Sequence, residues 1–151
     1  MNNNLIQYIY GIADNSLILG QRLGELCGHG PSLETDIAMT NISLDLFGQV
    51  RSYFQYAAKL QGGEATEDTI AFLRKEREYK NVLLVEQPNR DFAYSITRQF
   101  LFDVYHLLLL SELQNSKDET LAAIAIKSIK EVSYHTRFSS DWIKRLGDGT
   151  E

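Results

Sequence analysis

Asp103 and His106 stand three residues apart inside QFLFDVYHLLLL, Gln99 to Leu110, an otherwise apolar run suited to a buried helix. At that spacing a carboxylate and an imidazole share one helix face and can lean onto one metal ion. Asp45 lies in NISLDLFGQ among apolar and small residues, and Glu131 precedes His135 by four in EVSYH. A carboxylate-bridged di-iron centre in a helical bundle takes a Glu from each of two helices and a Glu-x-x-His from each of the other two. Here the matches are partial. DVYH has the spacing with Asp in place of Glu, Tyr134 stands three after Glu131, and Gly48 stands three after Asp45. A buried carboxylate must be paired, protonated or metal-bound, because an isolated charge in an apolar core is prohibitively costly. The candidate site is therefore Asp45, Asp103, Glu131 and His135, a buried polar cluster at a degenerate di-iron position, with no residue assigned to catalysis or to metal. Two other readings of the same side chains stay open. One is a working di-iron oxidase or oxygenase that adds His106 to the set, and the other a single metal ion.

Five helical segments carry these residues. The first runs from about Asn4 to Cys27, and the second from about Ser32 to Leu60, with Ser32 as its N-cap and Gly62-Gly63 as its stop. A charged third, Glu67 to Lys80, follows Thr66 and reads as a solvated outer helix. The fourth starts behind Asn89, after Pro88, and reaches about Gln114. The fifth starts at Ser116, where Ser116 and Glu119 have capping-box spacing, and ends at Leu146 before Gly147. NVLLVEQ is the one β-like run and is too isolated to build a sheet, so the fold class is all-α. Tight joins pair the first helix with the second and the fourth with the fifth. The long Gln61–Asn89 connection then makes a ferritin-like four-helix bundle of two antiparallel hairpins with a crossover. The three mid-bundle acids fall on inward stripes of their helices, whereas in the first helix none of Asp14, Gln21 and Glu25 is clearly inward.

Gly20, Gly24 and Gly28 repeat every four residues, which suits close approach of a neighbouring helix. Cys27 and His29, in CGHG, read as a structural helix end rather than a nucleophile and its base. Tyr53, Phe54 and Tyr56 in RSYFQYAAKL lie on more than one side of their helix, which suggests burial in a subunit interface. A net charge of −5 with no basic cluster argues against nucleic acid. A single cysteine excludes an internal disulfide and suits a cytoplasmic protein. No apolar run approaches the ~20 residues of a membrane span. The 151 residues suit a single domain.

Several stretches together resemble a known family. GHGPSLETDIAMTNISLDLFGQ, FLRKEREYKNVLLVEQPNRDFAYSITRQFLFD and KEVSYHTRFSSDWIKRLGDGTE are similar to the C-type, non-catalytic subunits of the bacterial phenylacetyl-CoA epoxidases, in order and over essentially the whole chain. LLVEQPN, RQFLFD and RLGDGTE are the most specific pieces. The resemblance implies a ferritin-like subunit that has lost the iron ligands, with Gly48 and Tyr134 where histidines would stand. It implies pairing with a catalytic A-type paralogue that holds the di-iron centre and binds the CoA thioester. A reductase component using NADPH and further subunits complete the complex, and no cofactor is expected in this chain. A homo-oligomer is a further expectation left open. Family members continue into more C-terminal helices, whereas this chain stops at Glu151, so faces that those helices cover are expected to be exposed.

Overall fold

A computed structural model describes residues 3–149 as helices and connecting turns, with no strand among them. Four long helices, α1 (Asn3–Glu25), α2 (Leu33–Gln61), α5 (Phe92–Leu113) and α6 (Glu119–Gly147), make the ferritin-like bundle. Two short helices, α3 (Glu67–Phe72) and α4 (Leu83–Glu86), lie in the crossover. The long helices have 23, 29, 22 and 29 residues. At 1.5 Å per residue they run roughly 33 to 44 Å. α1 packs on α2, α5 on α6, and α2 on α6, while α4 bridges α1 and α5 at one end.

Local chemistry sets the ends. Ser32 Oγ accepts the Thr35 N–H and starts α2, and the N–H of Gly62 closes it on the Ala58 carbonyl. Gly62 has φ of 73°, a backbone region that side chains resist, hence glycine at this stop. Asp91 caps α5 through the Tyr94 N–H, two residues after the expected start, and Asp118 caps α6 through the Leu121 N–H. The expected Ser116 capping box does not form, because Ser116 Oγ accepts the Asp118 N–H and so holds the true cap in place.

The crossover departs most from expectation. The charged segment breaks after Phe72, with a single 3-10 turn at Glu76–Glu78 instead of a continuing helix. The break lets Arg74 turn inward, away from water, and NVLLVEQ closes into one turn of helix. Gly20 meets its expected neighbour: a Cβ there would come within 3.0 Å of the Phe47 ring. Gly24 and Gly28 do not share that role. A Cβ at Gly24 meets only Ser43 Oγ at 3.8 Å, and Gly28 lies beyond the helix in the turn.

The core is in two pieces. One apolar cluster holds Ile9, Leu17, Val50, Phe54, Leu110 and Val132, and the other holds Leu19, Leu23, Ile42, Leu46 and Phe102. Between Leu46 and Val50 lies Gln49, between Phe102 and Leu110 lie Asp103 and His106, and His135 follows Val132. A polar layer therefore divides the bundle near its middle. Tyr53 and Phe54 both point into this chain's own core and Tyr56 donates to Asp118 at 2.6 Å, so these aromatics supply no interface. No helix among the described residues is long and apolar enough to cross a membrane.

Candidate functional site

Asp103 is fully buried on α5. Gln99 Nε2, one turn earlier, donates to its Oδ1 at 2.6 Å, and Ser139 Oγ on α6 donates to its Oδ2 at 2.8 Å. No cationic side chain among the described residues pairs with it. Burial raises its pKa from the usual 3.8 to about 7, with the Ser139 and Gln99 hydrogen bonds pulling the other way.

His135 is also fully buried, on α6, and its Nε2 lies 2.9 Å from Asp45 Oδ2 on α2. Burial lowers its pKa, while the bond to Asp45 opposes that shift. With Nε2–H donated to the carboxylate, the neutral ring keeps its lone pair on Nδ1. A second α2–α6 tie lies beside it, Gln49 Nε2 to Glu131 Oε2 at 2.8 Å. His106 is buried against the Phe102 ring at 5.2 Å between centroids, and neither ring nitrogen has a hydrogen-bond partner among the described residues. Burial first, and the charge of His135 second, push its pKa down to about 3, so this imidazole is neutral.

The four candidate residues are thus brought into one layer but not onto one point. Asp103 is held by α5 and α6, while Asp45, Glu131 and His135 tie α2 to α6. Asp45 and Glu131 are not buried as the inward stripes suggested. The Asp45 side chain is 36% exposed and Glu131 is half-buried. Both sit at the rim of the α2–α6 contact, where a carboxylate keeps part of its hydration. Tyr134 lies on the outer side of α6, 40% exposed, and Gly48 faces solvent. No three His, Cys, Asp or Glu side chains among the described residues are grouped to hold a metal ion. The donor set does not fit a two-iron centre, since its best carboxylate is spent on an amide and a hydroxyl.

Sequence reasoning missed a second buried acid. Asp14 on α1 is fully buried, and its carboxylate takes Arg74 Nη1 at 2.9 Å and the Lys80 N–H at 2.8 Å. Its neighbour Asn15 accepts the Val82 N–H at 2.8 Å. Tyr10, Phe54 and Tyr79 surround the guanidinium at 4.6, 5.3 and 4.3 Å from their ring centroids. The signal was there: Asp14 continues the stripe Ile6, Tyr10, Leu17 at helical spacing. At CGHG the Gly28 and Gly30 N–H groups donate to Asp36, so this is a turn closed by a carboxylate, and those donors hold Asp36 below the usual range.

The profile of the family described as Phenylacetic acid catabolic protein matches residues 1–151. The chain belongs to that family. Within it, a relative from Escherichia coli (strain K12), the C-type subunit of 1,2-phenylacetyl-CoA epoxidase, is 54% identical over 149 residues. The alignment covers 99% of this chain and 60% of that relative, so the chain spans well under two thirds of the relative's length. Membership in a phenylacetic acid catabolic family agrees with the ferritin-like fold and with a polar layer at mid-bundle.

Proposed function

We propose that this chain is a non-catalytic structural subunit of a multicomponent monooxygenase that epoxidises phenylacetyl-CoA in phenylacetate catabolism. It pairs with a catalytic paralogue that holds the di-iron centre, beside a reductase that uses NADPH, and works in the cytoplasm without a cofactor of its own. One observation carries the reading: Asp103, the deepest acid of the layer, spends both carboxylate oxygens on Gln99 and Ser139. The likeness to a C-type epoxidase subunit supports the pathway and the multi-subunit setting.

The outer face of α5 supports the pairing. Leu101, Val104, Tyr105 and Leu108 are exposed along it, with Tyr8 of α1 also exposed, and no charged residue interrupts the exposed positions from Ala93 to Leu108. Uncovered apolar patches of this kind mark protein contacts, and obligate interfaces are rather hydrophobic.

Co-expression with the catalytic paralogue in iron-rich medium, followed by iron analysis of the complex and of each separated subunit, tests the proposal. The iron should follow the paralogue, and oxygen-dependent turnover should require both chains. About two irons in this chain alone, with turnover in the absence of any partner, would overturn the reading.

A further inference from the structure

A cavity of about 350 Å³ opens at the end of the bundle, where the Cys27–Pro31 turn meets the start of α5. Leu26, Met39 and Phe92 give it apolar walls, Ser95 is its deepest polar group, and His29 and Arg90 stand exposed at its rim. That size lies at the lower end of small-molecule sites, which are mostly apolar with a few placed polar groups.

Ser95 is the informative residue. It is fully buried, and its hydroxyl has no hydrogen-bond partner among the described residues. Thr97, Ser111, Ser133 and Ser140 each turn the hydroxyl back onto the carbonyl four residues earlier. Ser95 does not, although an unsatisfied buried hydroxyl costs about 1–3 kcal/mol. Its side chain lines the cavity instead.

Charge points the same way. Behind the cavity wall Arg98 is 3% exposed, donating to the Gln87 carbonyl at 2.6 Å and to Asn89 Oδ1 at 2.9 Å, with its Nε unpartnered among the described residues. Among those residues no carboxylate lies within ion-pair distance of it. The nearby acids are already engaged. Glu25 accepts from Arg22 and Asn89, Asp36 from Gly28 and Gly30, and Asp91 from the Tyr94 N–H. A buried guanidinium without a counter-charge favours an anion nearby. His29 Nδ1 lies 3.2 Å from the Cys27 carbonyl, which leaves Nε2 free at the rim.

We propose that this cavity binds a small carboxylate with a flat apolar body, the body between Leu26, Met39 and Phe92 and the polar end held by Ser95 and Arg90. The site stands apart from the mid-bundle layer and does not depend on the subunit role proposed above.

Benzoate is a suitable probe, titrated into the full chain and followed by amide NMR shifts. Saturable shifts are expected at Leu26, Gly30 and Phe92 to Ser95, with a Kd of about 1 mM or tighter. Ser95→Ala removes no hydrogen bond among the described residues, so it should fold normally and bind roughly tenfold more weakly. Arg90→Ala, at an exposed position, should do likewise, and benzyl alcohol should bind less well than benzoate. Three outcomes would each overturn the proposal: no saturable shift at about 10 mM, shifts confined to the groove between α2 and α3, or unchanged affinity in both variants.

Discussion

Asp14 and Arg74, sixty residues apart in the chain, form a two-pronged ion pair inside the protein, the carboxylate fully buried and the guanidinium side chain 11% exposed. The arginine arrives from the crossover, and α1 supplies the acid. The crossover is therefore not draped over the bundle but bolted to it, with the Lys80 and Val82 N–H groups bound to Asp14 and Asn15 as further fastenings.

Removing one partner strands the other. Asp14→Ala or Arg74→Ala should each destabilise the chain by about 3–5 kcal/mol, since a buried charge loses its counter-ion. The double variant should fall well short of the sum, with a coupling of about 2 kcal/mol or more. Urea unfolding of all four proteins measures this, and simple additivity would refute the pairing as a unit.

Asp103 makes stability depend on pH in an unusual direction for a carboxylate. Its folded pKa, about 7, exceeds the usual 3.8. Between those values the folded state holds a proton that the unfolded chain releases. Its contribution is therefore fully present below pH ~4 and is lost as pH rises through about 7. Asp103→Asn can keep both hydrogen bonds yet cannot ionise. Its urea midpoint should hold steady from about pH 5 to 8 while the parent protein's falls, by up to a few kcal/mol in stability. Parallel curves would show that Asp103 does not titrate in this window.

Two glycines of α1 should respond in opposite senses. At Gly20 an added methyl meets the Phe47 ring at 3.0 Å, whereas at Gly11 nothing lies within 4 Å. Gly11→Ala should stabilise by about 0.5–1 kcal/mol through helix propensity. Gly20→Ala should instead lose about 1 kcal/mol as the ring is displaced. Thermal melts of the two variants distinguish them, and equal shifts would mean that Phe47 yields freely.

Tyr105→Glu and Leu108→Lys probe the outer face of α5. Both positions are exposed, so the isolated chain should change in stability by no more than about 0.5 kcal/mol. Binding to the catalytic paralogue should weaken by tenfold or more, since a charge would be buried in an apolar contact. Calorimetric titration of the two subunits reads this, and unaltered affinity would move the interface elsewhere.

Periodicity and end signals along the chain carried the all-α class, both hairpins, the crossover and the inward setting of Asp103 and His135. Such features depend on residues three and four apart on a single helix, which the chain itself keeps together. They could not say how far Asp45 and Glu131 would lie from the rim of the α2–α6 contact, because that depends on the distance and rotation of a second helix. Nor could they show that Glu67–Lys80 breaks to send Arg74 inward. A long charged side chain reads as solvated until a buried acid and three aromatic rings are placed around it. Tyr53 and Phe54 suggested a partner surface and found their contacts inside the chain, while the uncharged outer face of α5 stood out only once its neighbours were in position. The chain determined which residues share a face; packing decided which faces meet, and so which charges are neutralised, which stay wet and which apolar surface is left for another protein.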